Sequence, residues 1–91
     1  MKAVTPTEAL RKIKSACIQG RMRISPHAFK RINQRGVRSG DVRKVILSAK
    51  EAKESSEGLE RWKITGQDSD EDELTVIIVI EFDGTIVVTV Y

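Results

Sequence analysis

The sequence predicts an α+β domain, with two to three N-terminal helices packed on a curved antiparallel sheet of about four strands. Three observations carry that expectation. Up to about residue 50, apolar residues recur at helical spacing between capping signals and glycine stops. Beyond it the period changes to two. Near the end, two Val/Ile-rich runs, 74–82 and 85–91, flank Asp83-Gly84, the two-residue signal for a type I′ hairpin. No repeat, low-complexity tract or linker interrupts the chain, so residues 1–91 are expected to form one domain.

Each element has its own signal. Thr5-Pro6-Thr7-Glu8 is a capping box: threonine caps, proline takes the first helical position and glutamate the third. The helix it opens turns Leu10, Ile13 and Cys17 inward, shows Arg11, Lys12 and Lys14 outward, and stops at Gly20. Arg21 to Ile24 alternates, as a short edge strand or an extended link would. Ser25 then caps a second helix with Pro26 at its first position and Gly36 as its stop; Ala28, Phe29 and Ile32 can face a core. Ser39 or Asp41 can cap a third, whose buried stripe is Val42, Val45, Ile46 and Ala49. Residues 50–56 form a weak, polar strand candidate, Ser56-Glu57-Gly58 a turn, and 59–66 a strand with Trp62 and Ile64 on one face. Gln67 to Glu73 reads as a solvated acidic loop. The expected Asp83-Gly84 turn pairs Ile80 with Val87, Ile78 with Thr89 and Val76 with Tyr91, so Thr89 and Tyr91 project from one face.

The net charge of +3 conceals an asymmetry. Residues 1–50 carry thirteen Lys+Arg against two acids, a balance of +11; residues 51–91 carry three against eleven, a balance of −8. The basic half suits a polyanion such as RNA, although two oppositely charged solvated surfaces give the same count. A lone cysteine forms no internal disulfide and fits a reducing compartment; on its helical face Cys17 reads as a small core residue. No apolar run approaches the roughly 20 residues of a membrane span, and no signal peptide opens the chain. A cytoplasmic protein without membrane contact is expected.

Several chemistries find no support. The acidic run from Asp68 lacks the sixth-position glycine and twelfth-position glutamate of a calcium loop, having Glu73 and Val79 there. One cysteine and one histidine make a poor zinc site, and no glycine-rich phosphate loop or dinucleotide fingerprint is present, so neither metal nor cofactor is expected. With 4% aromatic residues, an extended base-stacking platform is not expected either.

What stands out is the second helix. Arg31 and Arg35 fall about 40° and 80° round it from His27, the only histidine, so the three share one stripe beginning near the helix N-terminus. The helix dipole and Arg31 both disfavour imidazolium, leaving a ring able to accept a proton beside fixed positive charge. Phosphodiester chemistry needs both. The plainer alternative is a structural histidine bonded to the C-terminal strands.

The pattern Ser25-x-His27-Ala28-x-x-Arg31-x-x-x-Arg35-Gly36-Val37, then Asp41-Val42 opening a helix, then Val87-Val88-Thr89-Val90-Tyr91, resembles a small bacterial family of unknown function. Its members often stand beside zinc-finger antitoxin genes. That family has been placed in the class joining barnase, EndoU, the colicin tRNases and RelE-type toxins. The likeness runs from about residue 8 to the end and leaves the 68–73 loop outside the pattern. It implies a RelE/barnase-like, metal-independent ribonuclease fold and a toxin–antitoxin role, with RNA as substrate and an antitoxin protein as partner. Carried over, His27 matches the family's histidine, Arg31 and Arg35 its arginines, and Thr89 its C-terminal threonine; Tyr91 is added by analogy with a tyrosine of some RelE-type toxins. The expected reaction is attack of a ribose 2′-hydroxyl on the adjacent phosphate, which favours RNA over DNA. A non-catalytic module binding nucleic acid or protein on the same fold is the alternative.

Overall fold

The helix signals act locally, and the computed structural model, which describes residues 5–55, 61–81 and 84–91, shows them in place. Thr5 caps α1 (Pro6–Ile18) through a complete capping box. Ser25 caps α2 (Pro26–Arg35), which ends on Gly36 in the left-handed conformation. α3 (Ser39–Ser48) differs from expectation. Its cap position is Arg38, not Ser39 or Asp41; Asp41, at the third helical position, reaches back to accept the Arg38 N–H at 2.9 Å.

Between and after the helices lie β1 (Met22–Ile24), β2 (Lys53–Glu54), β3 (Arg61–Gln67), β4 (Glu73–Glu81) and β5 (Gly84–Val90). They form one five-stranded sheet in the order β1-β5-β4-β3-β2. The expected sheet had about four strands, all antiparallel; this one is mixed, because β1 joins β5 in parallel at the edge. A short stretch before a helix carries no directional signal, so its pairing was not readable. The expected turn at 56–58 and the start of the expected 59–66 strand lie outside the described residues, as does Asp83.

The β4–β5 register also departs from expectation. Gly84 is a strand residue paired with Glu81, and Ile80 meets Thr85, Val79 meets Ile86 and Ile78 meets Val87. A bulge follows, so that Ile77 meets Thr89 and Val76 meets Val90, leaving Val88 as the extra residue. Gly84 answers to β1 rather than to a I′ turn. Its φ is +155°, and a Cβ there would collide with the Arg21 carbonyl, which accepts the Thr85 N–H at 3.0 Å.

One face of the sheet meets the helices. Ala9, Ile13 and Cys17 of α1, Ala28 and Ile32 of α2, Val42, Val45 and Ile46 of α3, and Ala49 just past its end pack against Trp62, Ile64, Leu74, Val76, Ile78, Val87 and Val90. Leu10 is only partly buried, and Phe29 is not in the core at all: it is 58% exposed. α2 lies against the sheet edge, where a stripe as narrow as Ala28 and Ile32 suffices. Among the described residues, no helix is long and apolar enough to cross a membrane.

Candidate functional site at the sheet edge

α2 begins where β1 stops and continues along the edge of β5 that β1 leaves open. The Ser25 N–H donates to the Val87 carbonyl at 2.9 Å. Its hydroxyl works twice, accepting from the Ala28 N–H at 3.1 Å and donating to the Val88 carbonyl at 3.2 Å. One turn on, Arg31 Nε donates to the Val90 carbonyl at 3.3 Å, and beyond it Arg35 Nη2 donates to the Glu73 carbonyl at 3.1 Å. The predicted arginine stripe therefore lies against main-chain oxygens at the end of the sheet.

This arrangement brings some of the expected residues together. Val90 is buried on the helix side, so its neighbours Thr89 and Tyr91 project to the opposite face, and Arg31 is bonded to the carbonyl between them. Thr89 and Tyr91 do share a face, but not the one their expected partners Ile78 and Val76 would have set. Thr89 pairs with Ile77, and Tyr91 exchanges both backbone hydrogen bonds with Thr75. The bulge at Val88 makes the difference. His27 lies one helical turn before Arg31, exposed and with no hydrogen bond among the described residues. Arg31 is half-buried, and its Nη1 and Nη2 atoms have no protein acceptor among the described residues. The expected structural bond from His27 to the C-terminal strands is not formed there.

The acidic loop is more ordered than a solvated hairpin loop. Asp68 is buried, and its Oδ1 accepts the N–H groups of Asp70 and Asp72 at 2.8 and 3.0 Å. Lys44 of α3 donates to the Asp68 carbonyl at 3.1 Å, and Asp41 Oδ1 accepts both the hydroxyl and the N–H of Ser69. The Ser69 hydroxyl above all, with the Arg38 and Ser69 N–H groups, holds the Asp41 carboxyl below the usual carboxylate range. Asp70, Glu71, Asp72 and Glu73 stay exposed, at the end of the sheet where Arg35 sits.

Other candidates resolve simply. Cys17 is buried, and burial pushes its thiol up against the opposing pull of Arg43, as befits a core residue rather than a nucleophile. Among the described residues, no three His, Cys, Asp or Glu side chains gather where they could hold a metal ion. Sequence reasoning missed the second bond of Ser25: its capping role is local, but its bond to Val88 depends on a bulge that has no sequence signal.

An α+β domain with a basic edge helix moored to its last strand is the class this geometry defines. Residues 24–91 match the family described as Domain of unknown function (DUF4258), and the chain belongs to that family. No curated protein and no solved structure matches the chain.

Proposed function

We propose that this domain is a toxin-like, metal-independent endoribonuclease of a toxin–antitoxin pair. One observation supports this reading above the others. Arg31 is fixed by the Val90 carbonyl between Thr89 and Tyr91, with two nitrogens to spare, one turn from an exposed His27. In the proposed reaction His27 takes the proton of a ribose 2′-hydroxyl. The 2′-oxygen bonds to the adjacent phosphorus, and the bond from phosphorus to the 5′-oxygen breaks. The leaving oxygen takes a proton from water, giving a 2′,3′-cyclic phosphate and a 5′-hydroxyl, and His27 returns the proton it took to the hydroxide so formed. Arg31 and Arg35 balance the charge that gathers on the phosphoryl oxygens, and the Thr89 hydroxyl, with Tyr91, orients the reacting group from the opposite side of the sheet edge. The nucleophile belongs to the RNA, so the step calls for no metal-bound water.

A second reading has its own support. Arg31 and Arg35 each give a donor to a main-chain carbonyl, as residues that merely hold α2 on the sheet would. Under it the domain is a non-catalytic binding module. RNA cleavage measured in a metal chelator, with any antitoxin removed, separates the two. The nuclease cuts and His27→Ala does not; the module binds varied RNAs and cuts none.

A further inference from the structure

We infer that the cleft between α1 and the turn end of the β4–β5 hairpin holds a backbone phosphate of the same RNA strand, so that the strand approaches α2 from its His27 end. This rests on the RNA reading above and adds to it a second contact and a direction.

The cleft encloses about 430 Å³ and is lined by Arg11, Lys12 and Ser15 of α1, by Arg21, and by Glu81 and Thr85 of the hairpin. Its charge is one-sided. Among the described residues three cations line it against one carboxylate, and Glu81 is already engaged by Arg23. Arg11 and Lys12 make no side-chain hydrogen bond among the described residues, and Arg21 gives a single nitrogen to Gln19. The Ser15 hydroxyl accepts from Gln19, which leaves its proton to donate. Thr85, in the cleft wall, keeps a buried hydroxyl without a partner among the described residues, a polar group that packing there leaves unsatisfied. A groove of about 710 Å³ beside α3 and β3 is a weaker candidate. There Lys44, Lys50, Lys53 and Lys63 face Glu51 and Glu73, and Lys44 is already bonded to the acidic loop.

Position decides the direction. Arg21 precedes β1 and α2 follows it, so five residues, three of them in β1, separate Arg21 from His27, roughly 15 Å of chain. A few nucleotides span that distance. At the other end of α2, Arg35 bonds to the Glu73 carbonyl, and the exposed carboxylates of Asp70, Glu71 and Asp72, on the loop just before Glu73, oppose a phosphate chain running on past Arg35. A strand lying on the stripe is drawn one way and pushed away from the other.

The test uses the full chain and a short single-stranded RNA, with affinity read by fluorescence anisotropy across a salt series. For Arg11→Gln/Lys12→Gln/Arg21→Gln, affinity should fall roughly tenfold or more, and the salt slope should shrink by about 0.7, the share of the one phosphate the cleft holds. Arg11→Gln/Lys12→Gln, which leaves the Arg21 turn untouched, should show a smaller loss in the same direction. Lys50→Gln/Lys53→Gln should change neither measurement. Wild-type affinity and slope in the triple variant overturn the inference. So does a cleft that binds inorganic phosphate, followed by amide shifts, while RNA affinity ignores the variant; it is then a site for a free anion. The two readings fail separately. RNA that binds through the cleft and is never cut removes the nuclease and keeps the cleft; RNA cut by a protein whose binding ignores the cleft does the reverse. RNA that does not bind at all overturns both.

Discussion

α2 and α3 are helices of equal length, ten residues each, held to the same sheet by different means. α3 lies on the sheet with three fully buried apolar side chains, Val42, Val45 and Ile46, with Ala49 buried just past its end, and ties down the 68–72 turn through Asp41 and Lys44. α2 has only Ala28 and Ile32 inside and is held by polar bonds from Ser25, Arg31 and Arg35 to strand carbonyls. Apolar burial is not directional, whereas a bond to a named carbonyl fixes a helix in register. The helix that carries the candidate chemistry is the one positioned by hydrogen bonds.

The contrast is sharpest where function and stability part. His27 is exposed and unbonded among the described residues, so His27→Ala should lower RNA cleavage about 10²–10⁴-fold while leaving RNA binding and the melting temperature unchanged. A matching loss of stability would make it a structural residue. Next come the two apolar anchors. Ile46→Ala on α3 should cost about 2–5 kcal/mol in a denaturant titration, with Ile32→Ala on α2 nearer the low end, since an edge site collapses more readily than one beneath the sheet. Equal losses would dissolve the distinction between the helices.

Smaller effects test the polar bonds. Ser25→Ala removes a cap and a tie to β5 at once and should cost roughly 1–2 kcal/mol, read from the same titration. Asp41 gives a pH signature to α3. Its folded-state pKa is depressed, so its contribution is complete above the unfolded value of about 3.9 and is lost as pH falls through the lower folded one. Asp41→Asn should therefore flatten the stability profile below about pH 4, measured as melting temperature against pH. An unchanged acid limb would mean that the bonds to Ser69 and Arg38 contribute nothing to folding.

What the sequence revealed follows the range of the interactions. Thr5, Ser25 and Gly36 act within one turn of chain, and the helices they bound are where capping chemistry put them. The α3 stripe was legible because its 3.6-residue period is internal to the helix. Phe29 misled because periodicity gives the apolar side of a helix but not how wide the contact is at a sheet edge. Asp83-Gly84 misled because Gly84 meets a second need, room for the Arg21 carbonyl, that arises sixty residues away. Arg31 and Arg35 were found as a stripe, yet their carbonyl partners on β5 and β4 were invisible, since a main-chain acceptor has no residue type. The Arg11, Lys12 and Arg21 cleft was hidden for a similar reason: its cations come from two elements with no common period.

The bulge at Val88 gives β5 one residue of slack. With Val88 deleted, Val87 would still meet Ile78 and Thr89 would still meet Ile77, so the faces of the sheet would survive a loss of length that scrambles an ordinary strand. The casualty would be the helix beside it. The Val88 carbonyl receives the Ser25 hydroxyl, so taking up the slack in the strand would remove that tie and leave the first turn of α2, and His27 with it, moored to β5 by the Ser25 N–H bond to Val87 alone.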